Sequence, residues 1–151
     1  DVHLGSFYHL AFAKKLTDLI KESDQLDYSR AIFFQGMEGY DDIRPGYTKV
    51  AEWTDGEFTD YEIETPNYGM DFETEDLEVD PDDVAGDSAT ITREVLAGER
   101  DDQFADAVAL NAAFRIYARE DVDDLETGLE KAREVIADGS AEAVLEELQS
   151  F

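Results

Sequence analysis

The fold is decided by one stretch of the sequence, Arg30-Ala31-Ile32-Phe33-Phe34-Gln35-Gly36-Met37-Glu38-Gly39-Tyr40-Asp41-Asp42-Ile43-Arg44-Pro45-Gly46. The contiguous apolar residues near its start are typical of a strand that is buried on both faces, as in a parallel sheet. The glycines and the proline that follow predict a loop at the carboxyl end of this strand. Because open α/β sheets place their ligands at the carboxyl ends of the strands, the stretch predicts an α/β fold and the position of its site.

Elements on both sides of this stretch are those of an α/β fold. The chain opens in what we interpret as the end of a strand, and Ser6 is the expected N-cap of the helix that follows. Downstream, Asp55-Gly56 predicts the turn of a β-hairpin, with strands near 49–54 and 57–63. The first helix is expected to bury an apolar stripe made of Tyr8, Phe12, Leu16, Leu19 and Ile20.

After a predicted loop over residues 71–83, the rest of the chain is expected to form four helices. Asp87 suits the N-cap of the first, which ends near Gly98. The second, over 104–117, is apolar almost all round, which is typical of a buried helix. The third has one apolar stripe closed by Gly139, and Ser140 starts the fourth. The expected total is therefore about five helices, one buried strand and one hairpin.

The composition excludes several classes of protein. The 151 residues suffice for about one domain, and 42% hydrophobic residues are too many for a disordered acidic tail. There is no cysteine, so a disulfide framework, a thiolate zinc site and a cysteine nucleophile are excluded. No apolar run approaches the roughly 20 residues of a membrane helix. The net charge of −27 repels phosphates, so we do not expect nucleic-acid binding.

The same charge predicts a salty habitat. The chain has 39 Asp and Glu against 12 Lys and Arg, a surface that repels itself at ordinary ionic strength. In molar salt this repulsion is screened, so we favour a cytoplasmic protein of a salt-accumulating organism. The alternative, a surface for a basic partner, predicts acids in blocks. Here they are spread over every segment, with one denser stretch over 71–83.

The loop after the buried strand holds the candidate site, the adjacent carboxylates Asp41 and Asp42. Carboxylates are hard oxygen ligands that suit Mg²⁺, especially an ion that also binds the phosphates of a substrate. A solvated turn remains the simpler interpretation of the spacing alone. Aspartate doublets recur in this acidic chain, at Asp82-Asp83, Asp101-Asp102 and Asp123-Asp124.

The remaining polar and aromatic candidates favour structural roles. His3 and His9 have no serine or cysteine at a spacing suited to nucleophilic catalysis, and we expect His3 to be a structural histidine. Asn111, in an otherwise apolar helix, is expected to bond backbone groups, because an unpaired buried amide is costly. The other expectations are a core role for the hairpin aromatics Trp53, Phe58 and Tyr61, and a solvent-facing role for Lys14 and Lys15.

Several of these motifs together resemble the C-terminal half of anthranilate phosphoribosyltransferase, in a group that includes the pyrimidine nucleoside phosphorylases. The likeness runs from Val2-His3 to the last helix. It rests on the loop over 35–46, the hairpin after it, Pro66-Asn67-Tyr68-Gly69-Met70, Gly86-Asp87 and Leu110-Asn111-Ala112-Ala113.

The resemblance implies a fold, a reaction and a metal. It implies the C-terminal part of a phosphoribosyltransferase-type α/β domain, so residues 1–151 are expected to be one fragment without the N-terminal helical domain and glycine-rich phosphate loop. The implied reaction of the intact protein joins phosphoribosyl pyrophosphate and anthranilate, an early step of tryptophan biosynthesis. In the family an acidic pair binds Mg²⁺, and Asp41 and Asp42 match it. No catalytic residue is assigned to this fragment, and a homodimer through the missing part is implied.

The sequence also departs from the family pattern. Asp42 stands where the family has glutamate, Gln35 where it has histidine, Arg44 where it has serine, and Ile91 where asparagine is usual. The stretch over 35–39 is similar to a divergent branch, some members of which bind nucleic acid instead of catalysing the anthranilate reaction. A non-enzymatic binding protein and a nucleoside phosphorylase-like enzyme therefore stay open as alternatives.

The charge makes a testable prediction about salt. We expect the helical circular dichroism of the chain to fall as KCl is lowered from molar to tens of millimolar. The reason is the Debye length, which grows from about 3 Å at 1 M to about 30 Å at 0.01 M and exposes the carboxylates to one another. Full retention of the signal at low salt would require another cause for the acidity.

Overall fold

In a computed structural model, residues 1–35, 42–119 and 121–151 are described. They form two compact units, Asp1–Asp71 and Phe72–Phe151. The first holds a sheet with one helix and the second is helical, so the α/β class predicted from the sequence is confirmed. That all 151 residues belong to one catalytic domain stays a prediction.

The first unit is built on a four-stranded mixed sheet in the order β1-β2-β3-β4. Strands β1 and β2 are parallel, and the hairpin of β3 and β4 continues the sheet antiparallel to β2. Asp55 and Gly56 at the hairpin turn both have positive φ, as a type I′ turn requires. The strands are β1 (Val2–Ser6), β2 (Arg30–Gln35), β3 (Tyr47–Thr54) and β4 (Glu57–Glu64).

Strand β2 is buried on both faces, as its apolar run predicts. Helix α1 (Leu10–Glu22) connects β1 to β2, and its residues form one core cluster with Ala31 and Phe33. The alternate residues Ile32 and Phe34 point to the other face and are also buried. Burial of five consecutive residues leaves only Gln35 partly accessible, so the chain leaves the core where the loop begins.

The prediction for α1 is wrong in its start and right only in part of its buried stripe, since Ile20 is buried and Leu16 packs against the core cluster. Ser6 belongs to β1, where it pairs with Phe34, and the helix begins only after His9. The buried residues of α1 are Ala13, Thr17 and Ile20, whose i, i+4, i+7 spacing forms one helix face. Small residues on that face let the helix approach the sheet closely. The predicted stripe members Tyr8, Phe12 and Leu19 are 74%, 60% and 62% exposed.

A buried ion pair joins the two central strands. The Arg30 guanidinium donates from Nε to Oε1 of Glu52 at 2.7 Å, and both residues are nearly inaccessible. The Tyr61 hydroxyl donates to Oε2 of the same carboxylate at 2.8 Å. Both oxygens of Glu52 are thus hydrogen-bonded, which offsets the cost of taking a carboxylate out of water.

The second unit contains four helices, as predicted. They are α2 (Val84–Leu96), α3 (Gln103–Ala118), α4 (Leu125–Ala137) and α5 (Ser140–Gln149), and short 3-10 helices lie at Thr65–Tyr68 in the first unit and Thr74–Leu77 in the second. The predicted N-cap of α2 is wrong. Asp83 caps the helix by accepting from the Gly86 N–H, while Asp87 lies in its first turn and accepts from the Asp80 N–H.

Close contact between α3 and α4 depends on a glycine. A Cβ at position 128 would lie 2.8 Å from the backbone oxygen of Ala113. Backbone atoms of a packed helix cannot rotate away as a side chain can, so the contact leaves no room for a side chain. Gly128 therefore sets the distance at which α4 packs on the small-residue surface of α3.

We expect Glu52→Gln to lower the free energy of unfolding by about 3 kcal/mol, because it leaves the buried charge of Arg30 uncompensated. Urea denaturation in molar KCl, followed by circular dichroism, measures the change. The matched control is Glu62→Gln, which removes the half-exposed partner of Lys49 at 3.9 Å and should cost less than about 1 kcal/mol. Equal losses in the two variants would contradict the assignment.

We expect Gly128→Ala to lower the free energy of unfolding by about 1–3 kcal/mol, although alanine is the better helix former. The clash with the Ala113 carbonyl separates the helices. Thermal unfolding compares this variant with Glu130→Ala, a change on the exposed side of the same helix that should be close to neutral. A more stable Gly128→Ala protein would show that the contact is not limiting.

Candidate functional site

The described part of the candidate site begins at Asp42, since Asp41 lies outside the described residues. The Asp42 carboxylate accepts a hydrogen bond through Oδ1 from Nε of Arg44 at 3.1 Å. The two side chains retain 36% and 25% of their exposure. The site thus presents a partly accessible carboxylate and a guanidinium side by side, between β2 and β3.

The turn that holds this pair is anchored by two threonines. The Arg44 N–H donates to Oγ1 of Thr48 at 3.1 Å. Gly46, with a φ of 81°, exchanges hydrogen bonds with Thr65, whose hydroxyl accepts at 3.2 Å and whose N–H donates at 3.0 Å. Ile43 is also buried. The backbone position of Asp42 and Arg44 is therefore determined by the sheet and the 3-10 helix after it.

The other aspartate doublets have a structural explanation that does not apply to Asp42. The second member of each caps a helix: Asp83 caps α2, Asp102 caps α3 and Asp124 caps α4. Hydrogen bonds keep two of these caps ionised. Arg100 lowers the pKa of Asp102, and the Thr127 N–H lowers the pKa of Asp124. Asp42 is followed by a turn into β3, so capping does not account for it.

The donor chemistry of Asp42 fits a magnesium ion. Mg²⁺ in phosphate-binding sites is held by one or two carboxylates, with substrate phosphates and water completing its octahedron. In the described residues no group of three or more acidic or histidine side chains could hold a metal. The described ranges therefore hold no closed cage for a metal, and Asp42 could serve only as one ligand of a site completed by other groups.

A cavity of about 420 Å³ opens beside the carboxyl end of β2. Its volume is in the range of small-molecule pockets. Lys49, which was not among the candidates named from the sequence, lines this cavity. The register could have indicated it, because Gln35, Lys49 and Glu62 are paired across three strands and share one face. The lining residues are His9, Leu10, Gln35, Lys49, Val50, Asp60, Tyr61 and Glu62.

The histidines and Gln35 have well-defined contacts. His3 lies between two aromatic rings, with centroids 5.5 Å from Tyr28 and 5.3 Å from Phe33, as expected of a structural histidine. His9 lies at the start of α1 and stacks edge-on against Tyr8. Gln35 donates from Nε2 to the Tyr8 carbonyl at 3.0 Å, so it ties the end of β2 to the segment before α1.

The structural roles expected for the remaining candidates are also seen. Asn111 donates from Nδ2 to the Ala107 carbonyl at 3.0 Å. Trp53 and Phe58 pack against the core cluster of the sheet, whereas Tyr61 lies outside that cluster, donates to Glu52 and lines the cavity. Lys14 and Lys15 are exposed on α1. In the described ranges, none of the helices has the length and apolar character needed to cross a bilayer.

Comparison with known proteins places the chain in a family. Residues 2–142 match the family described as "Glycosyl transferase family, a/b domain". The anthranilate phosphoribosyltransferase of Desulfosudis oleivorans is 30% identical over 146 residues, which cover 93% of this chain and 41% of that protein. The enzyme of the same name from Methanopyrus kandleri is 32% identical and is covered to the same 41%.

Solved structures of anthranilate phosphoribosyltransferases share this fold. Anthranilate phosphoribosyltransferase from Thermus thermophilus superposes with a TM-score of 0.69 at 30% identity, over 89% of this chain and 39% of that one. A variant of the Saccharomyces cerevisiae enzyme with Mg bound gives 0.73 at 20% identity, over 95% and 42%, and shows the fold alone. The chain thus spans about two fifths of these relatives. With residues 2–142 matching its a/b domain, the chain belongs to the glycosyl transferase family.

Proposed function

We propose that the intact protein containing this chain is an anthranilate phosphoribosyltransferase. It would transfer the phosphoribosyl group of phosphoribosyl pyrophosphate to the amine of anthranilate, in tryptophan biosynthesis. The observation that carries this proposal is the family match over residues 2–142, together with relatives at 30–32% identity that bear this name. The motifs named above, from the loop over 35–46 to Asn111, support the same assignment.

The reaction is a substitution at C1 of the ribose. The bond from C1 to the pyrophosphate oxygen breaks, pyrophosphate leaves with the electron pair, and a bond forms from C1 to the anthranilate nitrogen, which loses a proton. A negative leaving group makes charge stabilisation the main task of the protein. We assign no catalytic residue to this chain, whose contribution is to bind and orient the leaving group.

Asp41 and Asp42 are the residues that would hold Mg²⁺. The bound ion would neutralise part of the pyrophosphate charge and orient the leaving group. Asp42 is one methylene shorter than the family's glutamate, so it reaches less far, either to the ion or to a water on it. Structures of the yeast enzyme contain Mg, in one case with phosphoribosyl pyrophosphate, which is consistent with this chemistry.

Residues 1–151 would be the C-terminal part of the catalytic domain. The N-terminal helical domain, the glycine-rich phosphate loop and a homodimer contact would then lie in the remaining three fifths of the protein. The share of about 40% that this chain covers in its relatives supports this division. A phosphate cradle is needed to bind the substrate, so we expect residues 1–151 alone to be inactive.

A second candidate is a ligand-binding paralogue without catalysis. Gln35 favours it, because an amide that donates to the Tyr8 carbonyl stands where the family has a histidine. An amide cannot transfer a proton as an imidazole can. Turnover of anthranilate by the intact protein decides against this candidate, whereas ligand binding without turnover supports it, and arsenolysis of nucleosides identifies a phosphorylase.

The acidity supports a further part of the proposal, function in the concentrated salt of a cytoplasm. A chain with 39 acidic and 12 basic residues must fold against its own repulsion, which molar salt screens. Part of the acidity also has local uses, since aspartates cap three helices of the second unit. Binding and activity should therefore be measured in molar KCl.

Calorimetry of the intact protein in molar KCl tests the metal site. We expect phosphoribosyl pyrophosphate to bind with Mg²⁺ and to bind at least about tenfold more weakly in EDTA or in the Asp41→Ala/Asp42→Ala variant, because the ion links carboxylate to diphosphate. The control is Asp121→Ala/Asp123→Ala, which removes the same charge from exposed positions. Metal-independent binding that is unchanged in the first variant would falsify the site.

A further inference from the structure

Another cavity, of about 360 Å³, lies in the second unit. It is bounded by α3, by α4 and by the loop that joins α2 to α3, so all its lining residues lie within Phe72–Phe151. The volume exceeds that of a single water and falls in the range of pockets that hold small organic molecules. None of the lining residues has a part in the proposed function.

One wall of this cavity is apolar and is built mainly from small side chains. Ala105 and Ala109 lie four residues apart on α3 and therefore share one face of that helix. Ile136 and Ala137 line the cavity from the end of α4. Alanines leave space between the two helices here, whereas at Gly128 there is no room even for a methyl group. The cavity thus offers apolar surface to part of a ligand.

An ion pair with unused hydrogen-bonding capacity lines the same cavity. Nη2 of Arg133 on α4 donates to Oδ1 of Asp106 on α3 at 2.8 Å. Among the described residues, Arg133 donates from no other nitrogen, and Oδ2 of Asp106 has no partner. The two side chains retain 52% and 34% of their exposure. The guanidinium can therefore still bind a carboxylate, and the aspartate can still bind an ammonium group.

The other arginine of the cavity supports the fold. Nη1 of Arg100 donates to Glu94 at 2.8 Å, and its Nε and Nη2 both donate to Asp102, the N-cap of α3. Its guanidinium carbon also lies 5.1 Å from the ring centroid of Phe104. The adjacent Asp101 is exposed, and in the described ranges its carboxylate has no hydrogen-bond or ion-pair partner. Arg100 therefore holds the loop, and Asp101 adds negative charge to the cavity.

The charges of the cavity select among classes of ligand. A purely anionic molecule would bind Arg133, but it would meet Asp101, Asp106 and a chain of net charge −27. A purely cationic molecule would leave the free N–H groups of Arg133 unused. A molecule with both charges close together matches a guanidinium and a carboxylate that are in contact, as Arg133 and Asp106 are. Such a molecule is neutral overall, so the acidity of the chain does not oppose its approach.

We propose that this cavity binds a free α-amino acid with an apolar side chain. The carboxylate and ammonium groups, which share one carbon atom, bind Arg133 and Asp106, and the side chain lies on the apolar wall of α3 and α4. The inference does not depend on the proposed function, because it uses only residues of the second unit. It gives the chain a ligand site separate from the candidate metal ligands.

The test compares L-leucine with two analogues that each lack one of its charges. Calorimetry of the intact protein in molar KCl measures the binding of L-leucine, of 3-methylbutylamine, which lacks the carboxylate, and of 4-methylpentanoate, which lacks the ammonium group. We expect each analogue to bind at least about tenfold more weakly than L-leucine, because each loses one charge-assisted contact.

Two charge variants should change the order of these ligands in opposite ways. In Arg133→Gln we expect L-leucine to bind no better than the amine, because the group that holds the carboxylate is gone. In Asp106→Asn it should bind no better than 4-methylpentanoate. The control is Arg119→Gln, which removes the same charge from an exposed pair with Asp121 and should leave the order and the affinities unchanged.

A further variant, Ala137→Leu, fills part of the cavity without changing any charge. The position is exposed near the end of α4, so helical circular dichroism should be retained while L-leucine binds at least about tenfold more weakly.

Three results overturn the inference. They are no binding of L-leucine to the wild type, binding no tighter than that of the amine, and wild-type binding of L-leucine in both Arg133→Gln and Ala137→Leu. The proposed function fails separately, since an intact protein that does not turn over anthranilate leaves each of these measurements unchanged.

Discussion

Burial of β2 on both faces is the constraint on which the first unit depends. A strand without a solvent face must be paired at both edges and covered on both sides, and β1, β3 and α1 meet part of that requirement here. Burial of five consecutive residues also dictates where the chain becomes accessible again. The candidate site lies at that point, so the position of its loop follows from the packing of the strand before it.

The features predicted correctly are those with a strong local cause. A continuous apolar run, an Asp-Gly turn and glycines at helix ends each restrict the backbone within a few residues, so β2, the hairpin and the ends of α2 and α4 could be predicted. The metal ligands could be named only through a resemblance. Their residue types suit Mg²⁺, but the spacing alone is equally that of a solvated turn.

The failures arise where tertiary contacts decide between local alternatives. Of the large apolar residues predicted to be buried in α1, Ile20 is buried and Leu16 is partly buried, but Tyr8, Phe12 and Leu19 are exposed, and the smaller Ala13 and Thr17 contact the sheet. Asp83 and Asp87 are both acceptable caps by residue type. Gly86 leaves room for the capping carboxylate of Asp83, which a Cβ at that position would contact. The contact of Arg44 with Asp42 likewise depends on a turn anchored by Thr48 and Thr65.

The fluorescence of the single tryptophan reports on the first unit alone. Trp53 lies in β3 and packs against the sheet cluster, with the Lys21 ammonium 5.4 Å from its ring centroid. Its emission therefore reports the environment of residues 1–71, whereas far-ultraviolet ellipticity is dominated by the helices α2 to α5 of residues 72–151. One unmodified sample thus carries independent spectroscopic labels for its two halves, and comparing the two melting curves measures directly how cooperatively they unfold.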